Sequence, residues 1–125
     1  MTHALWNLVT AVLLSLPFSP VDVRDAGITV RVVPREDVVA RAQNPAATGW
    51  IGCGATCDVL LWDAFSVTEI AEQTRHEVCH AVDWLSDGKM DGAVMGWQPW
   101  AGEPYAGEPI SDTERFGYWC GRQEI

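Results

Sequence analysis

The residues best equipped for chemistry stand together at His76, Glu77 and His80, inside the run TRHEVCHAVDW. Histidines four residues apart project from one face of a helix, so both imidazoles can reach a single zinc ion at about 2.0–2.1 Å. The intervening Glu77 lies about 100° round such a helix, which puts its carboxylate beside a water on the ion rather than on the ion itself. Zinc lowers the pKa of such a water toward about 7 and polarises a carbonyl, and the glutamate accepts the proton. This composition yields the pattern by chance about 0.003 times in a chain of this length. The bland alternative is a pair of solvated histidines one helical turn apart.

A zinc site needs a third protein ligand. Glu114 leads: it lies 34 residues after His80, in the segment SDTERFGYWCGRQ, on the helical face opposite Phe116, Trp119 and Cys120. The same residue also completes a capping box with Ser111, and that explains it without metal. Asp83 is the second choice. It sits about 4.5 Å further along the helix axis than His80, a position better suited to hydrogen-bonding a histidine than to ligation. Asp112 and Glu108 are outside choices, and no supporting pattern surrounds His3.

Periodicity supplies the elements that must position these groups. A helix is predicted over residues 67–85, with Val67, Ile70, Ala71, Val78, Ala81, Val82 and Leu85 on the core side. Glu69, Glu72, His76, His80 and Asp83 fall on the other side, facing a surface or a cleft. Residues 28–32 alternate as a half-buried strand, REDVVARAQNP reads as a short helix, and Val59 to Trp62 is a second strand. TGWIGCGATC, between them, reads as a glycine-rich turn. Residues 86–109 form a long loop holding Trp97, Trp100 and Tyr105 and the echo AGEP-Y-AGEP; loops of that length are often functional. The spacing of Asp83, Asp87 and Asp91 does not match a calcium loop and reads as a turn. Gly117 and Gly121 are weak points in the last helix.

The chain has 125 residues and a mass of 13.7 kDa, one domain's worth, with a net charge of -9 and a single lysine, Lys89. The absence of a Lys/Arg cluster argues against nucleic acid and anionic membranes as partners. Residues 1–20 carry an apolar run too short to span a bilayer, which takes about 20 residues. The segment suits a signal peptide or a structural helix with His3, Asn7 and Thr10 on its wetter face. Cys53 and Cys57 bracket a short turn that suits either a disulfide or part of a metal site. Cys79 and Cys120 lie on the two candidate ligand-bearing helices, where a bond would staple the site and two thiols would be equally at home. Disulfides favour an exported protein and free thiols a cytoplasmic one.

RHEVCHAVDW followed after a loop by TERFGYWC resembles the small zinc metallopeptidases of the zincin superfamily, in the gluzincin arrangement. The resemblance implies an α+β domain over residues 21–125, a small sheet packed against the active-site helix, and a C-terminal helix bearing a ligand. It implies one Zn2+ per chain on His76, His80 and Glu114, with Glu77 as general base, and a peptide or protein substrate hydrolysed at an amide bond. DVLLW would be the edge strand against which an extended peptide pairs. An oxyanion stabiliser is expected, Tyr118 first and Tyr105 second. Tyr118 stands where such families often carry an aspartate, and no third histidine follows His80, so the metzincin branch is not supported. The rival from another class is an inactive scaffold of this kind serving as a binding module.

Overall fold

Val59, Leu60 and Leu61 are all buried, although side chains alternate along a strand. The strand that carries them must therefore be covered on both faces, and this requirement organises the fold. The computed structural model describes residues 2–14, 17–98 and 110–123. In chain order its elements are α1 (His3–Leu13), α2 (Pro20–Asp25), β1 (Ile28–Val33), α3 (Arg35–Ala42), β2 (Gly49–Cys53), β3 (Cys57–Trp62), α4 (Val67–Asp87) and α5 (Asp112–Gly121). A 3-10 turn, Ala93–Met95, lies between the last two. The class is α+β.

The sheet has the order β1-β3-β2, with β1 parallel and β2 antiparallel to β3. Two sequence expectations change here. The glycine-rich stretch read as a turn contains strand β2; only Gly54, Ala55 and Thr56 turn, closing a hairpin in which Cys53 faces Cys57. DVLLW is consequently the central strand, not an edge, and both of its hydrogen-bonding sides are taken. The edge strands are β1 and β2. The misreading has a physical cause: Gly49 and Gly52 weaken strand propensity, yet cross-strand pairing with β3 overrides it. A disulfide between Cys53 and Cys57 locks the hairpin.

α4 is the spine of the molecule. Ser66 caps its start in a reciprocal pair with Glu69, and Gly88, in the left-handed conformation at φ 73°, ends it. Val78, Ala81 and Val82 pack into the core with Val59 and Leu61 of β3 and Leu5, Leu8, Val9 and Val12 of α1. α3 covers the other sheet face, where Leu60 and Val38 are buried. Val67, placed on the core side by periodicity, is instead 88% exposed, at the first position of α4. Trp84 anchors the hairpin turn by donating from Nε1 to the Gly54 carbonyl at 2.9 Å.

The segment after α4 is not structureless. The 3-10 turn follows Gly92, and Met95 and Trp97 are buried against the core. Trp100, Tyr105, Glu108 and the AGEP echo lie outside the described residues. α1 presents Leu5, Leu8, Val9 and Val12 inward and His3, Asn7 and Thr10 outward. Among the described residues no helix is long and apolar enough to cross a membrane.

Candidate metal centre

The face of α4 opposite the sheet is not open. His76 is 3% exposed and His80 1%, because α5 lies directly over them. Of the surface or cleft expected on this side of α4, the open surface is overturned: the histidines lie between α4 and α5. Two glycines permit the close approach. A Cβ on Gly117 would collide with His80 Nε2 and stand 2.7 Å from His76 Nε2. A Cβ on Gly121 would come within 3.0 Å of the Glu72 carbonyl and 3.2 Å of the His76 backbone nitrogen. Both look like helix weaknesses in the sequence; Gly117 makes room for the histidine rings, and Gly121 lets α5 approach the α4 backbone. Their i, i+4 spacing puts both on one helix face, and that spacing was the signal available beforehand.

α5 is fastened to α4 through its C-terminal turn. The Cys79–Cys120 disulfide ties the helices on the core side, with both residues fully buried. Arg75 donates from Nε to the Gly121 carbonyl at 3.1 Å, and Arg122 pairs with Glu72 at 2.9 Å. Glu114 is thus delivered to the histidines by a clamped helix.

His76 Nε2 and His80 Nε2 are 3.3 Å apart. Glu114 reaches them with separate oxygens, Oε1 at 3.4 Å from His80 and Oε2 at 3.7 Å from His76. Ligand atoms at about 2.0–2.1 Å from one tetrahedral zinc stand about 3.3 Å from each other. Two imidazoles and one carboxylate converging at these separations fit zinc in both donor type and spacing. Ser111 caps α5 through its hydroxyl, which accepts from Glu114 N–H at 3.2 Å, but the Glu114 carboxylate turns to the histidines. Hydrogen bonding to His76 and then His80 holds its carboxyl far below the usual carboxylate range, against the opposing effect of burial.

Glu77 is also buried, with Oε1 4.0 Å from His76 Nε2. Burial pushes its carboxyl up to about 7, His80 pulls it down, and Glu114 adds to the rise. A Cβ on Gly49 would stand 3.2 Å from Glu77 Oε1, so the start of edge strand β2 borders this carboxylate. Tyr118 packs edge-on against His76, ring centres 4.6 Å apart. The remaining candidates are elsewhere. Asp83 turns Oδ2 to the Gly92 N–H at 2.8 Å and makes no hydrogen bond to a histidine; Nδ1 of His76 and of His80 are both without hydrogen-bond partners. Asp112 pairs with Arg115 at 3.3 Å, and His3 sits exposed on α1.

No protein-family model, curated protein or solved structure matches the chain.

Proposed function

We propose that this protein is a zinc-dependent hydrolase of peptide or similar amide bonds. One observation carries the reading: the His76, His80 and Glu114 ligand atoms converge at 3.3–3.7 Å with the Glu77 carboxylate beside them. His76, His80 and Glu114 would hold the metal. When bound, zinc supplies Lewis-acid polarisation of the substrate carbonyl and a water of lowered pKa.

The protein's own groups do the rest. Glu77 takes a proton from the attacking water and passes it to the leaving amine. Burial raises its carboxyl to about 7, which makes the ionised form a stronger base and suits a group that must gain and then release a proton. Tyr118, held against His76, is the candidate donor to the oxygen of the tetrahedral intermediate. β2 replaces DVLLW as the strand for substrate docking, since its outer edge is not paired within the sheet and it starts beside Glu77. Two disulfides and no free cysteine among the described residues suit an oxidising compartment.

The test is cleavage of a mixed-sequence peptide library by zinc-loaded protein, read by mass spectrometry. Glu77→Gln, loaded with the same zinc, is expected to lose at least about 100-fold in rate. Equal cleavage by both forms would remove Glu77 from the chemistry and overturn the mechanism.

A further inference from the structure

Asp83 and Asp87 lie four residues apart and share a face at the end of α4. Gly88 then reverses the chain in its left-handed conformation and brings Asp91 back toward them. One carboxylate oxygen from each of the three lies within 4.8 Å of the other two. The spacing that fails to match a calcium loop in sequence thus produces a cluster by a different route, a helix terminus folded against its own exit.

The members are unequal. Asp83 is wholly buried; its Oδ2 accepts from Gly92 N–H, and its Oδ1 has no hydrogen-bond partner. Asp87 and Asp91 are exposed and use Oδ1 to accept from the Lys89 and Ala93 N–H groups at 2.9 and 3.0 Å. Among the described residues no arginine, lysine or histidine forms an ion pair with any of the three. The last turn of α4 carries no basic residue, and a helix C-terminus is itself negative. A buried carboxylate with an unpartnered oxygen, facing two further carboxylates at such a terminus, lacks the compensation that buried charge requires. Burial, with Asp91 and Asp87 adding to it, pushes the Asp83 carboxyl up to about 6.

We propose that Asp83, Asp87 and Asp91 bind calcium, at a site separate from the histidine centre. The donor set is oxygen alone, which selects hard cations over zinc. Calcium accepts an irregular shell completed by water, whereas magnesium demands a near-ideal octahedron. The ion would brace the segment on which α5 rests: Thr113 donates to the Met90 carbonyl at 3.2 Å, and Trp97 stacks edge-on with Phe116 at 5.7 Å.

The experiment titrates calcium chloride into metal-free protein by calorimetry and follows thermal unfolding with and without 10 mM calcium. One calcium per chain is expected, with a Kd of about 0.1–1 mM and a midpoint raised by about 5 °C. Asp87→Asn with Asp91→Asn retains the oxygens that accept the turn hydrogen bonds and removes only charge; both responses should vanish. A His76→Ala, His80→Ala variant should keep its calcium response, which separates this site from the zinc reading. No response up to 10 mM, an undiminished response in the Asn variant, or a larger response to magnesium would overturn the assignment.

Discussion

Gly117 lies so close to His80 that a single added methyl group would occupy the space of the imidazole Nε2. The candidate metal centre therefore depends on the absence of a side chain as much as on its ligands. Gly117→Ala would ordinarily stabilise a helix interior by about 1 kcal/mol. Here overpacking against two buried rings opposes that gain by about 1–3 kcal/mol. The expected outcome is a less stable protein with zinc affinity reduced by about 10–100-fold. Urea unfolding and a competitive zinc-chelator titration measure both. An alanine variant with unchanged zinc affinity would show that the rings do not bind metal in this position.

The two disulfides should differ in consequence. Cys79–Cys120 closes a loop with a sequence separation of 41 and Cys53–Cys57 one of 4. Loop-closure entropy assigns about 4 kcal/mol to the first and about 2 kcal/mol to the second. Only the first joins the helices that carry His76, His80 and Glu114. Replacing Cys79 and Cys120 by alanine should therefore lower stability and zinc affinity together. Replacing Cys53 and Cys57 should lower stability alone, as unfolding curves run beside zinc titrations would show.

Asp83 gives a pH dependence with a definite sign. Its carboxyl rises from 3.8 to about 6 on folding, so the folded state holds this proton more tightly than the unfolded chain does. The stability it contributes is full below about pH 3.8 and is lost as pH rises through about 6. With divalent cations removed by chelation, Asp83→Asn should gain stability relative to the wild type between pH 4 and pH 6. Above that window the difference should level off. Thermal midpoints across this range test it, and added calcium should shrink the difference.

How much of this was legible in the sequence depends on whether the governing interaction is local. The α4 helix, β1, and the pairing of His76 with His80 follow from periodicities within one segment, and each is present in the fold. β2 was missed because its glycines obscure a strand that only β3 makes stable. The resemblance implies an edge position for DVLLW, whereas three consecutive apolar residues in a short strand point to cover on both faces. The burial of the histidines needed α5 above them, which the wheel of α4 alone does not contain. Gly117 and Gly121 were visible but read against helix propensity instead of close packing. The Asp83, Asp87 and Asp91 cluster depends on the chain reversal at Gly88, and no linear spacing rule describes it.

The central claim is that His76, His80 and Glu114 form one zinc site, and zinc stoichiometry tests it most directly. The purified protein is dialysed against metal-free buffer, reloaded with one equivalent of zinc and passed through a desalting column before elemental analysis. Close to one zinc per chain is expected in the wild type and in Ser111→Ala, which loses only a helix cap worth about 1 kcal/mol. Glu114→Gln and His80→Ala should each lose zinc severely. A wild type that retains no zinc, or a Glu114→Gln variant that retains all of it, would show that these three residues do not form a zinc site.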